Sequence, residues 1–299
     1  MTEQFAHANG ISICYEAIGA PSSRPLLLIF GMYGQLIWWD DALCHQLAAE
    51  GFYVVRFDNR DSGRSHHLPD PPRLLRTALR LTRPAYNLAD MAEDALGLLN
   101  HLRLPAAHIV GASMGGMIAQ VLALRHPSRA LSLTSMMSTP GRLRISRCTK
   151  PSLLPYLLRR CPSDLDGYIS TSTAMLRKLS SPGRPFDERG TQTLLRRSHA
   201  RGVDPDGTHR QMAAVLSAAD RTQALRNLDL PAQVLHGTRD PLIPLACARA
   251  TARAIPGAQL RTIPGMGHHF PPEGWPHLVE GLHAIAQRPG SGSPPDENP

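Results

Sequence analysis

Short apolar runs and helix-period stripes take turns along this chain, from about residue 25 to 140 and again from 232 to 287. Pro25–Phe30 (PLLLIF) is apolar without interruption, the pattern of a strand covered on both faces. Asp40–Glu50 follows with helical spacing through Leu43, Leu47 and Ala48 and stops at Gly51. Tyr53–Phe57 reads as the next strand. Asn87–Leu102 reads as a helix capped by Asn87, with Leu88, Met91, Ala95, Leu98, Leu99 and Leu102 on one stripe. Ala107–Gly111, Met114–Arg125 and Ala130–Met136 give strand, helix, strand. After the break come a strand at Ala232–Gly237, a helix from Leu245 to Ala254, a strand at Gln259–Ile263 and a helix near Trp275–Gln287. Ile11–Ile18 is an early strand of mixed polarity. Strands separated by helices need crossover connections, so the rhythm predicts an α/β fold with a mostly parallel central sheet flanked by helices.

The break spans residues 141–227, rich in Arg, Ser and Pro, with helical patches at Leu153–Arg160 and Thr191–His199 and no convincing strand. We read it as a helical cap inserted into a sheet core formed by residues 1–140 and 228–288. The tail 289–299 is Pro/Gly/Ser-rich and expected to be disordered. A shorter insertion, His66–Ala85, carries Arg73, Arg76, Arg80 and Arg83 at helical spacing with Leu74, Leu75, Leu79 and Leu81 between them. It reads as a basic amphipathic helix, either a lid touching substrate or membrane or simply a helix with an exposed Arg face.

Charge is unevenly placed. The chain carries +8 overall, and residues 141–229 hold 16 of its 32 basic but 8 of its 24 acidic residues. Thirty of the 32 cations are arginine, spread along the whole chain, and no zinc-finger, RNP or basic heptad pattern accompanies them. Nucleic-acid binding is therefore not expected. No apolar run approaches the roughly 18 residues of a membrane helix, and the opening MTEQFAHANG has no secretory pattern, so a cytoplasmic protein without stable membrane insertion is expected. Five scattered cysteines with no CxxC suit free thiols better than a disulfide framework or a zinc site.

Residues 111–115 read Gly-Ala-Ser-Met-Gly, a G-x-S-x-G directly after a strand and directly before an apolar helix. That context fits a nucleophile elbow: a sharp turn presenting Ser113, with small neighbours where the backbone is crowded and a helix N-terminus aimed at the chemistry. A serine hydroxyl needs a base, and the base needs an orienting carboxylate. Open parallel sheets build sites at strand C-terminal ends. Asp240 lies just past the strand AQVLHG, and His268 sits in the loop PGMGHH just past QLRTI, with His269 as the competing base. Two backbone donors should hold the developing oxyanion: Met114 N–H, after the nucleophile, and Met32 N–H, in the loop FGMYGQ after the early apolar strand. Met32, Trp38, Trp39 and Met114 suggest an apolar pocket. Asp58 and Asp61 in DNRDSGRS have no His/Cys cluster to make a metal site and read as a turn held by Arg–Asp pairs. The remaining histidines, His101 and His236 among them, read as surface or satisfied core residues.

FGMYG, DNRDSGRS, GASMGG, HGTRDP and PGMGHH together resemble the α/β-hydrolase superfamily over about residues 10–288. The likeness is to its serine-esterase branch, near aclacinomycin methylesterase, with cofactor-free haloperoxidases and perhydrolases as neighbours. The resemblance implies Ser113, Asp240 and His268 as a triad, Met32 and Met114 as backbone donors, a helical cap at 141–227, a small-molecule ester substrate, and no cofactor or metal. Phe30 stands where many members have His before the Gly, a change that a backbone donor at Met32 survives. Members that act as haloalkane dehalogenases or epoxide hydrolases use Asp as nucleophile, so Ser113 argues against both. A carboxylesterase is the expected activity. Peroxide interception of the acyl-enzyme and a non-catalytic ligand-binding protein are the alternatives. Acyl and alcohol preference and oligomeric state are not legible in the residues.

Overall fold

A computed structural model describes residues 2–69, 74–79, 81–141, 151–153, 155 and 158–286. Eight strands form one sheet in the order β1-β2-β4-β3-β5-β6-β7-β8. They are β1 (Gln4–Ala8), β2 (Ile11–Ile18), β3 (Arg24–Ile29), β4 (Phe52–Phe57), β5 (Ala107–Ala112), β6 (Ala130–Met136), β7 (Ala232–Gly237) and β8 (Gln259–Ile263). The pairs β1–β2 and β2–β4 are antiparallel and the other five are parallel. β1 was not foreseen: its burial alternates weakly, it lies at the sheet edge, and only Ala6 and Ala8 face the core. The inner strands lie where the apolar runs predict them, to within a residue or two.

The helices outside the insertion are α1 (Asp41–Ala49), the short α2 (Leu74–Ala78), α3 (Leu88–His101), α4 (Met114–Arg125), and, after β7, helices at Leu245–Ala254 and Trp275–Ala286. A continuous apolar run serves both faces of the sheet. In β3, Leu27 and Ile29 join the core under α3 and α4, whereas Leu26 and Leu28 join the core under α1 and the C-terminal helix. Register continues this division. Leu27 pairs with Val55 and Ile109, and Ile109 with Leu133, so one face is aliphatic across four strands. The result is a three-layer stack in which β3 to β8 run the same way, so their C-terminal ends open toward one edge.

Among the described residues of the long insertion, three α-helices form: α5 (Leu165–Leu179), α6 (Glu188–Arg201) and α7 (Gly207–Ser217). No strand occurs there among the described residues. α5 and α6 pack on each other, α6 reaches the turn at Leu36–Trp38, and α2 packs on α7. The expected patch at 191–199 is the middle of α6. The patch at 153–160 falls partly, and the tail 289–299 wholly, outside the described residues. In the 66–85 segment the described helix is limited to α2. It bears Arg76, while Arg73 and Arg80, on which the expected Arg-faced helix also rests, lie outside the described residues. No helix among the described residues is long and apolar enough to cross a membrane.

Candidate active site

β5 ends at Ala112, α4 begins at Met114, and the single residue between them adopts φ +56° and ψ −119°. A left-handed φ at a non-glycine residue is costly and persists only where its surroundings enforce it. Here Ser113 N–H donates to Met136 O (2.8 Å), and Ser138 Oγ donates to Ser113 O (2.8 Å). The two motif glycines are needed for space. A Cβ on Gly111 would lie 2.1 Å from Gly115 O, and one on Gly115 would lie 2.1 Å from Ile29 O. The bend therefore needs strand β3 and helix α4 closer together than any side chain permits, and it lifts Ser113 above the sheet edge.

Two other strand ends converge on it. His268 Nε2 lies 3.0 Å from Ser113 Oγ, and His268 Nδ1 lies 2.7 Å from Asp240 Oδ2. The second Asp240 oxygen, Oδ1, accepts the Leu242 and Ile243 N–H groups, both at 2.8 Å. The Asp240 side chain is fully buried and that of His268 is 8% exposed. Burial opposes the charge on Asp240, yet the facing His268, with help from His236 and the Ile243 amide, holds its carboxyl below the usual 3.8. His269, the competing base, does not reach Ser113. Its Nδ1 is buried without a hydrogen-bond partner, and burial pushes its pKa below 6.5.

His236, read as a surface or satisfied core residue, is a hydrogen-bonded core residue that also adjoins this constellation. It is fully buried in β7, its Nε2 donates to Ile243 O (2.8 Å), and the same nitrogen lies 3.5 Å from Asp240 Oδ2. Burial lowers its pKa, so the ring is neutral and offers an N–H dipole toward the carboxylate. Its sequence position gives no sign of this, because the contact forms only once residues 238–243 fold back over the strand end.

The loop after β3 lies against the serine. A Cβ on Gly31 would come within 2.9 Å of Ser113 Cβ, which leaves glycine as the residue that fits. Phe30 packs its ring on Trp38 (5.7 Å) and Trp39 (5.4 Å). The turn at Asp58–Ser65 braces this loop from below. Asn59 Nδ2 donates to Phe30 O (2.9 Å), Ser62 Oγ to Gly34 O (2.6 Å), and Leu36 N–H to Asp58 Oδ1 (2.6 Å). The insertion braces it from above. Gln35 Nε2 donates to Ser198 O and Gly202 O, both at 2.9 Å, and Trp38 Nε1 to Ser198 Oγ at 3.0 Å. The Arg–Asp pairs expected of DNRDSGRS are present, but their arginines come from the insertion: Arg201 pairs with Asp58, and Arg210 grips Asp61 through Nε and Nη2, both at 2.8 Å.

Asp61, His67 and Asp204 bring potential metal-ligand atoms within 4.8 Å of one another. The Arg210 guanidinium already bonds both carboxylates, so a fixed cation fills the role an ion would take. The four described cysteines, Cys14, Cys44, Cys161 and Cys247, are buried and in no disulfide among the described residues, and Cys148 lies outside the described residues. Burial pushes the Cys14 and Cys44 thiols up to about 12, so neither is a ready nucleophile.

Residues 24–274 match the alpha/beta hydrolase fold family. Among characterised relatives, rhodomycin D methylesterase DauP of Streptomyces sp. strain C5 is 31% identical over 281 residues, covering 87% of this chain and 90% of its own. Rhodomycin D methylesterase DnrP of Streptomyces peucetius is 30% identical over the same length. Among solved structures, the enol-lactonase from Burkholderia xenovorans LB400 superposes with a TM-score of 0.75 at 21% identity, covering 95% of this chain and 100% of that one. Esterase RhEst1 from Rhodococcus sp. ECU1013 does so with the same score and identity, covering 96% and 99%. The protein is a hydrolase and a member of the alpha/beta hydrolase fold family.

Proposed function

We propose that the protein is a serine carboxylesterase that hydrolyses small to medium carboxylic esters through an acyl-enzyme on Ser113. The observation that carries this reading is the unbroken chain of contacts from Ser113 Oγ through His268 to Asp240, at 3.0 and 2.7 Å. In this scheme His268 Nε2 removes the hydroxyl proton as Ser113 attacks the ester carbonyl. The carbonyl oxygen gains charge and is met by the N–H groups of Met114 and Met32. Among the described residues neither amide has a protein acceptor, and Met114 opens a helix whose positive end points the same way. His268 then hands its proton to the departing alcohol. Water, activated by the same imidazole, releases the acid and restores the serine. Asp240 keeps the proton on Nδ1 and stabilises the imidazolium. The scheme needs no cofactor or metal.

The substrate class follows from the surroundings and the relatives. A cavity beside the 31–35 loop has Met32, Tyr33, Met175 and Met212 in its wall, mostly apolar, with Ser172 and the charged Arg159 among its polar members. The relatives DauP and DnrP are methylesterases, which supports a small-molecule ester with a small alcohol and an apolar acid. We include in the proposal that residues 141–227 act as a cap on a core formed by 1–140 and 228–288, and that the enzyme works in the cytoplasm, where free thiols persist. Turnover of p-nitrophenyl butyrate and of methyl esters by the purified protein tests the reading. Ser113→Ala should lose at least about 10³-fold in kcat. Equal rates for the two proteins would refute the nucleophile.

A further inference from the structure

We propose that Gln211, on α7 of the insertion, is a positioning residue for the Met32 amide, so that the inserted helices complete the oxyanion site as well as cover it. This rests on the role given to Met32 above. Tyr33 has φ +75°, a left-handed conformation that a bulky side chain keeps only when several neighbours hold it. The Trp38 ring meets it edge-on at 5.8 Å, and the other holds come from the insertion. Its backbone N–H donates to Gln211 Oε1 (3.3 Å). Its hydroxyl hydrogen-bonds Ser172 Oγ on α5. Its ring stacks on Tyr168 of the same helix, with centroids 6.0 Å apart and planes 20° from parallel.

Gln211 is 1% exposed, and its other end donates from Nε2 to Arg60 O at 2.9 Å. One acceptor and one donor facing complementary partners fix which way the amide points. Arg60 belongs to the turn that also holds Phe30 O through Asn59 and Gly34 O through Ser62. Gln211 therefore ties insertion, turn and loop together beside the site. The Tyr33 N–H belongs to the peptide that follows Met32, so anchoring it sets the plane of that peptide. It also takes the Tyr33 N–H out of competition and leaves the Met32 N–H free to face Ser113, against which Gly31 is packed. Without the anchor the left-handed residue relaxes and the peptide turns, and a shift of about 1 Å at an oxyanion donor costs on the order of 10²-fold in rate.

The test measures kcat, KM, the inhibition constant of butylboronic acid, which forms a tetrahedral adduct on the serine, and the melting temperature. Gln211→Leu is expected to lower kcat by roughly 10–100-fold and to weaken the boronate by a similar factor, with KM changed less than about threefold. Gln211→Glu keeps an oxygen for the Tyr33 N–H and should recover most of both losses. Gln211→Ala, in which water can fill the vacated space, provides the same reading if the leucine variant does not fold. A folded Leu or Ala variant with wild-type kcat and boronate affinity would overturn the proposal. So would equal losses in the Glu and Leu variants, or a fall in melting temperature with no kinetic change. Wild-type turnover that survives Ser113→Ala would instead remove the esterase reading beneath it.

Discussion

Asp240 divides its two oxygens between two tasks. Oδ1 is saturated by two backbone N–H groups, which fixes the carboxylate plane, and Oδ2 is left for His268. Asp240→Asn tests that division. The amide oxygen would keep the backbone bonds, so the NH2 would face His268 Nδ1 and force the imidazole proton onto Nε2, where it blocks proton removal from Ser113. The variant should fold normally and lose roughly 10⁴-fold in kcat, read from steady-state ester hydrolysis. Ser113, Asp240 and His268 were legible because each stands in a short signature at a strand end, and strand ends are where this architecture gathers chemistry. Gln211 and His236 were not. A glutamine in a polar helical segment and a histidine inside a strand carry no local signal, and their contacts span 178 and seven residues. Only the folded backbone brings those partners together.

Among the elements, α3 shows how much local sequence can decide. Asn87 accepts from the Ala89 and Asp90 N–H groups, and Asp90 returns a bond to the Asn87 N–H, closing a capping box ahead of the buried stripe. Asn87→Ala should cost about 1 kcal/mol, or roughly 2 °C in melting temperature for a chain of this size, with activity unchanged. The inner strands β3, β4 and β5 were equally plain, since burial on both faces leaves no room for polar alternation, whereas the edge strand β1 was not. The inserted helices were harder to delimit. α6 buries only Leu195 and Ser198 and is otherwise a polar, Arg-rich surface, so its apolar stripe is too thin to mark its ends. Their placement depends on ion pairs to a turn more than a hundred residues away, a long-range interaction that periodicity does not encode.

For the molecule as a whole, part of the insertion's basic charge is met by carboxylates. Arg160, Arg177, Arg197, Arg201 and Arg210 each pair with an acid, and Arg197, Arg201 and Arg210 do so across to the sheet domain. The sequence showed the charge but not its partners. Global stability should also depend on pH through His108, buried in β5 against Ser132 Oγ at 2.8 Å, whose pKa burial lowers from 6.5 to about 4. The unfolded chain's imidazole takes up its proton near 6.5 and the folded one only near 4. The unfolded state therefore binds more protons in that window, and stability falls as pH drops through it, by up to about 3 kcal/mol. Urea unfolding between pH 7 and pH 4 should show this slope, and His108→Gln should flatten it.

The central claim is that an ester is cleaved through covalent attachment to one serine, and trapping that attachment tests it most directly. The experiment is acid-quenching of the protein during turnover of p-nitrophenyl butyrate, followed by peptide mass spectrometry. The account predicts a butyryl group on the peptide bearing Ser113, absent in Ser113→Ala, and accumulating too slowly to detect in His268→Ala. Steady ester turnover by the wild type with no acyl group on Ser113, or a Ser113→Ala protein as active as the wild type, would contradict it.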